Sequence, residues 1–225
     1  MKLYFSYTDG LKRYAPVLEM QESLRNTIYE NETVAGQILL LEHSPVYTMG
    51  IRTKQEHLLL SSEELKKKNI DLHTIRRGGD ITYHGPGQLM FYPIIQLHRS
   101  GKRSISDFVS GLGEIIAEVM RDFGVKDAEW KRNPSGIWTK KGKISAVGFH
   151  FRKYVGTHGF AINVHPDLSY FSGIIPCGLS SGVTSIKEET GRDVSVADVA
   201  EKLLERLQIF FSHLDFEERD PWENL

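Results

Sequence analysis

The chain holds one cysteine, Cys177, set in Ile174-Ile175-Pro176-Cys177-Gly178-Leu179. A proline before it and a glycine after it take the thiol out of regular structure and into a turn, where a side chain can meet a ligand. A free cysteine is most often a small buried hydrophobe, but these flanks favour a nucleophile. A reactive thiol needs a positive neighbour or a base to raise its thiolate fraction. His43, His84, His150, His158 and Lys143 are all candidates for that part, and residue type alone does not choose among them.

A second concentration of chemistry runs from Arg76 to Gln88. Gly78, Gly79, Gly85 and Gly87 interrupt a run of polar and ionisable side chains, a composition that lets backbone approach a bound molecule or simply makes a turn. No Lys-Ser or Lys-Thr follows the last glycine, and the run does not match Gly-x-Gly-x-x-Gly, so nucleotide binding has no support here. The nine histidines include no His-Glu-x-x-His, and His150, His158 and His165 lack the spacing of a common zinc signature. No metal and no cofactor is expected. Basic pairs such as Lys140-Lys141 and Arg152-Lys153 read first as solvated faces.

Three motifs occur together: Arg77-Gly78-Gly79-Asp80-Ile81-Thr82-Tyr83-His84-Gly85-Pro86-Gly87-Gln88, then Gly142-Lys143-Ile144-Ser145-Ala146-Val147-Gly148, then Pro176-Cys177-Gly178-Leu179 with Gly182-Val183-Thr184-Ser185. In this the chain closely resembles the lipoyl(octanoyl) transferases. The likeness runs in consistent order from about Leu41 to Ile186 and includes Leu41 to Gly50 and Thr157 to Val164. It implies transfer of an octanoyl or lipoyl group from acyl carrier protein to a specific lysine of a lipoyl domain through a cysteine thioester. The expected acceptors are the lipoyl domains of 2-oxoacid dehydrogenases and the glycine cleavage H protein. By the same resemblance Cys177 carries the acyl group and Lys143 tunes it. Substrate-binding residues are then Arg77, Gly78, Gly79, Asp80, Ile81, Thr82, Tyr83 and His84, with Ala146, Val147, Gly148, Gly159, Phe160 and Ala161. The sequence departs from the family pattern at Asp80, where glutamine or a similar polar residue is usual, and at Ser145, where alanine is common. The competing readings are an ATP-dependent lipoate ligase on the same fold and a non-catalytic acyl-binding protein.

These motifs must be held by a folded frame. Lys12 to Asn31 has helical spacing with Pro16 in its first turn, Gln37 to Glu42 suits a buried strand, and a loop is expected after His43-Ser44-Pro45. Ser62 to Lys68 has the charge order of a short capped helix. Leu89 to Leu97 reads as a strand in which Pro93 implies an edge or a bulge. Phe108 to Phe123 is a strongly amphipathic helix stopped by Gly124. Ile137 to Thr139 and Lys143 to Phe151 form a strand pair, Gly159 to Val164 forms another strand, and Ser195 to Asp198 opens a last helix with a capping box. Without a repeating βαβ rhythm, the expected class is α+β, with a mixed sheet and flanking helices. The family resemblance implies the fold of the biotin and lipoate protein ligase catalytic domains.

A length of 225 residues, 40% hydrophobic and 25% charged, fits one catalytic domain over 1–225 with a sizeable core. The formal net charge of -1 provides no global attraction to nucleic acid or to an anionic membrane, so neither is expected as a partner. Ile38-Leu39-Leu40-Leu41 is far too short to span a bilayer, and the first residues lack the pattern of a secretory signal or transit peptide. With one cysteine and hence no internal disulfide, the expected location is the cytoplasm.

Overall fold

The computed structural model describes residues 1–102, 104–175 and 182–222. Along them run β1 (Lys2–Lys12), α1 (Tyr14–Glu30), β2 (Val34–His43), β3 (Val46–Met49), α2 (Ser62–Lys67), β4 (Asp71–Thr74), β5 (Thr82–His84) and β6 (Gln88–Ile95). There follow α3 (Ile105–Asp122), β7 (Glu129–Arg132), β8 (Ser135–Trp138), β9 (Lys143–Arg152), β10 (Val155–Asn163), α4 (Ile186–Thr190), α5 (Val196–Phe210) and β11 (Asp215–Glu218). Eight strands form one mixed sheet in the order β11-β1-β2-β6-β10-β9-β8-β7, and β4-β3-β5 form a small second sheet. The α+β class expected from the sequence is the one observed.

The aliphatic run in β2 explains how the main sheet is covered. Successive side chains of a strand point to opposite faces. Leu39 and Leu41 pack with Val17, Met20 and Ile28 of α1, while Ile38 and Leu40 pack with Phe108, Leu112 and Ile116 of α3 and with Leu203 and Leu207 of α5. Both faces of the strand are therefore buried, which is why its apolar residues run on without alternation. The capping box of α5 forms as the sequence implies, with Ser195 and Asp198 exchanging side-chain and backbone bonds. In α2 the capping serine is Ser61, which receives the Glu64 N–H while Glu64 accepts from the Ser61 N–H.

Two expectations change. The segment after Pro45 is not a loop. Val46, Tyr47 and Thr48 pair with His84, Tyr83 and Thr82, so the second half of the glycine-rich motif is itself a strand, β5. Pro93 lies on no edge, because β6 sits between β2 and β10 in the interior of the sheet. Its missing N–H is accommodated by a break in one ladder. β6 pairs with β10 from Gln88–Asn163 to Phe91–Phe160, and the two strands meet again only at Gln96–Val155. The register places His158 opposite Pro93, in that gap. His158 adopts φ 60°, a left-handed conformation costly for a side chain with a Cβ. Its N–H donates to the side-chain amide oxygen (Oε1) of Gln21 in α1 at 2.7 Å, which replaces the sheet partner Pro93 cannot provide.

Candidate active site

A cavity of about 590 Å³ opens on the face of the sheet where β9 and β10 run side by side. Its floor is a stretch of facing pairs, Ala146–Ala161, Val147–Phe160 and Gly148–Gly159. The glycines are imposed by close backbone approach: a Cβ on Gly159 would lie 2.0 Å from the Phe91 carbonyl oxygen, and one on Gly148 2.7 Å from that of Gly78. Lys143 stands at one end of the floor, His158 at the other, and the glycine-rich motif forms a wall with Arg77 and residues 79–82. Arg52 and the turn carrying Arg132 complete the mouth.

All substrate-binding residues named from the sequence line this cavity except Gly78 and Tyr83. Gly78 pairs its N–H with the Phe149 carbonyl, fastening the glycine-rich wall to β9. Tyr83 points the other way, as strand alternation between Thr82 and His84 demands, and stacks on Tyr170 at 4.7 Å. Cys177 lies outside the described residues. The chain on either side of it is fastened, with Ile175 N–H donating to the His57 carbonyl at 2.8 Å. Further on, Lys143 N–H donates to Gly182 and Thr184 N–H donates to Lys143, at 2.9 and 3.1 Å. The Lys143 ammonium lies 4.8 Å from the centre of the Trp138 ring.

Along the cavity lining, through Arg77, His84, Gln88 and Asn163, runs a chain of buried hydrogen bonds whose direction one group decides. The Thr184 carbonyl can only accept, so Asn163 presents its amide nitrogen to it at 2.9 Å. The Asn163 oxygen therefore receives the Gln88 amide at 2.8 Å, and the Gln88 oxygen receives His84 Nδ1–H at 2.8 Å. His84 Nε2 is left bare and accepts the Thr48 hydroxyl at 3.2 Å. The Thr48 oxygen in turn accepts from Arg77, at 2.8 Å from one terminal nitrogen and 3.3 Å from Nε. From Arg77 to Thr184 every donor points the same way, an arrangement in which each bond polarises the next.

Burial and the Arg77 charge keep the neighbouring imidazoles neutral. His84 is held well below its usual value by burial first, then by His43 and Arg77. Burial lowers His158 to about 3, with Arg77 the next cause. It lowers His43 to about 4, and His43 is bonded to the Lys12 carbonyl and the Tyr92 hydroxyl, both at 2.9 Å. Of the bases the sequence offered, His84, His158 and Lys143 line the cavity; His43 and His150 do not. The two family departures have different settings. Asp80 takes the Ile81 N–H at 2.7 Å and sits 2.7 Å from His57 Nδ1. The Ser145 hydroxyl is buried without a hydrogen-bond partner among the described residues.

Sequence reading assigned no role to Gln88 or Asn163. Asn163 did carry a signal: it is the polar residue in the otherwise apolar strand Phe160-Ala161-Ile162-Asn163-Val164, and a buried amide needs partners. Tyr14, Tyr92, Arg52 and Arg132 reach the cavity from distant parts of the chain, with nothing in their local sequence to mark them. Among the described residues there is no group of three or more His, Cys, Asp or Glu placed to hold a metal. No helix among them is long and apolar enough to cross a membrane.

Residues 13–208 match the family described as the lipoyl protein ligase A/B catalytic domain. The chain is 40% identical over 205 residues to an octanoyltransferase of Caldicellulosiruptor saccharolyticus, covering 90% of this chain and 86% of that one. It is 46% identical over 169 residues to an octanoyltransferase of Desulfotalea psychrophila, covering 74% and 75%. Its fold is similar to that of a lipoate-protein ligase A bound with ATP, with a TM-score of 0.76, 21% identity and coverage of 97% and 87%. A lipoate protein ligase from Thermoplasma acidophilum with bound lipoic acid gives 0.74 at 22% identity, covering 97% and 88%. A biotin protein ligase from Aquifex aeolicus gives 0.55 at 15% identity, covering 93% and 70%.

Proposed function

Given that the chain belongs to the lipoyl protein ligase A/B catalytic-domain family, and that its curated relatives are octanoyltransferases, we propose that it transfers an octanoyl group onto lipoyl domains through a thioester on Cys177. The donor in this reading is octanoyl-acyl carrier protein, the acceptors are the lipoyl domains of 2-oxoacid dehydrogenases and the glycine cleavage H protein, and the setting is the cytoplasm. One catalytic domain spanning 1–225 does the work.

The supporting observation is the line of small and apolar pairs, Ala146–Ala161 to Gly148–Gly159, that runs toward Lys143 in one cavity. Removing about six methylenes from water at ~0.8 kcal/mol each provides roughly 5 kcal/mol, enough to hold an acyl chain without a charged anchor. The Cys177 thiolate attacks the carbonyl carbon of the carrier thioester, the bond to the carrier sulfur breaks, and the carrier leaves as a thiolate that takes a proton from solvent. With the Cys177 charge gone, the Lys143 ammonium gives its proton to solvent and stands as a neutral amine. Next the amine of the acceptor lysine attacks acyl-Cys177, Lys143 takes the amine proton, and the Cys177 sulfur departs. Thioester exchange is nearly isoenergetic and the amide lies downhill, so neither step calls for ATP.

Denaturing mass spectrometry after incubation with octanoyl-carrier protein tests this. Wild type should gain one octanoyl group without ATP, Cys177→Ala should gain none, and the adduct should disappear when a lipoyl domain is added. An adduct that forms only with ATP would indicate a ligase instead. Full transfer by Cys177→Ala would overturn the covalent mechanism.

A further inference from the structure

The buried hydrogen-bond chain ends on the segment that holds Lys143. Asn163 grips the Thr184 carbonyl, and the N–H of that same residue donates to Lys143. Lys143 in turn donates to Gly182, and the two bonds make residues 182–184 a short parallel partner for the first residue of β9. On the other side of β9, β8 reaches it at Ser145 and, past a register shift, at Lys143, so the first residue of β9 is held between Trp138 and residues 182–184. Asn163 is 4% exposed and Gln88 2%, and each has both ends of its amide committed to a partner that accepts no other orientation.

We infer that Asn163 and Gln88 are positioning residues of the acyl-transfer step, fixing the backbone of Lys143 through the Thr184 carbonyl and tying it to the wall that carries Arg77. The inference rests on the reading of Lys143 as the base in amide formation. It differs from a general stabilising role, because the network runs from the Arg77 wall of the cavity to the segment that holds Lys143 and is oriented throughout. A displacement of about 1 Å at a catalytic group is enough to slow a step on the order of 100-fold.

Asn163→Asp separates positioning from simple packing. The new carboxylate still accepts from Gln88, but its second oxygen faces the Thr184 carbonyl, acceptor against acceptor. Protonation turns that oxygen into a donor and restores the bond, and burial beside an acceptor favours the protonated form. Gln88→Glu sets up the same conflict one link earlier, facing Asn163, and carries the test should the first variant fail to fold. Rates of transfer from octanoyl-loaded enzyme to a lipoyl domain are measured in single turnover, per mole of acylated enzyme, at temperatures below each melting transition.

At pH 8 Asn163→Asp is expected to transfer about 10-fold more slowly than wild type or worse. The ratio to wild type should recover as pH falls toward 6, with the KM for the carrier changed less than about twofold. On a Lys143→Arg background the substitution should add little, since both act on one group. A loss that is the same at every pH, or that adds in full on that background, overturns the inference. If Lys143→Arg is slow while Asn163→Asp matches wild type at pH 8, the positioning role fails and the base reading stands. If Lys143→Arg transfers at the normal rate from loaded enzyme, the base reading fails and the inference with it.

Discussion

At the scale of single residues, magnitudes decide what Lys143 must do. An ammonium that lowered a thiol pKa from about 8.5 to about 6.5 would raise the thiolate fraction at pH 7 about 25-fold. Nucleophilicity falls with pKa at a slope of about 0.4 to 0.5, which costs about 6- to 10-fold and leaves a net gain of about 3-fold. Charge alone cannot make the residue indispensable, so the base role carries most of the effect. Lys143→Arg keeps the charge but loses the base. It is expected to form acyl-Cys177 near the normal rate and to pass the acyl group on slowly; the reverse pattern in single-turnover assays would confine Lys143 to the thiol. The neutral histidines lead to a second prediction. The unfolded chain protonates them near their ordinary 6.5, whereas folded His43 and His158 wait until about 4 and about 3. Between those limits the unfolded state holds more protons, so stability falls as pH falls. Urea midpoints should drop steadily from pH 7 to pH 4, and a His43→Gln variant that keeps the Tyr92 contact should show a shallower slope. An unchanged slope would mean that His43 takes its proton in the folded protein.

At the scale of elements, the fit between β10 and its neighbours is the sensitive point. Gly159→Ala puts a methyl 2.0 Å from a backbone carbonyl and 2.8 Å from the Pro93 ring, in the interior of the sheet. Overpacking of this kind should cost about 3 kcal/mol, read as a lowered thermal midpoint, and an unchanged midpoint would mean that β6 and β10 separate more easily than their geometry implies. This region also shows what the sequence could and could not convey. The long helices α1, α3 and α5 and the strands β2, β6, β9 and β10 were legible because periodicity, caps and turn residues are local signals. β1, β3, β4, β5, β7 and β11 were not: they are short or mixed in composition and owe their state to partners far along the chain. The glycine-rich wall of the cavity was legible through its glycines, whereas the turn of Tyr83 away from the cavity was not, because a motif lists residues without saying which face of a strand each occupies. Pro93 was correctly marked as a disruption, but only the pairing reveals that α1 repairs it.

At the scale of the whole molecule, the basic pairs Lys140-Lys141 and Arg152-Lys153 lie too far apart to form one docking rim. Lys140-Lys141 precedes β9 and Lys153 follows it, so the length of the strand, about 30 Å, stands between them. The exposed cations at the cavity mouth are Arg52 and Arg132 instead. If the acyl donor is an acidic carrier protein, Arg52→Glu with Arg132→Glu should raise its KM several-fold at low salt and flatten the dependence on ionic strength. A KM indifferent to both salt and these substitutions would place the docking surface elsewhere. The parallel pairing of β1 with β11, Lys2 opposite Asp215 and Phe5 opposite Glu218, bears on how the protein is made. A ribosome delivers β1 first and β11 last. At about 5 to 20 residues per second, the 55 residues between Asn163 and Glu218 take roughly 3 to 11 s to emerge. During that interval the strands of the cavity floor are already available to pair, while the helix α5 that covers them is still arriving. The outer edge of β1 stays open until the end, so the nascent chain depends on how quickly its neighbours in the cell leave that edge alone.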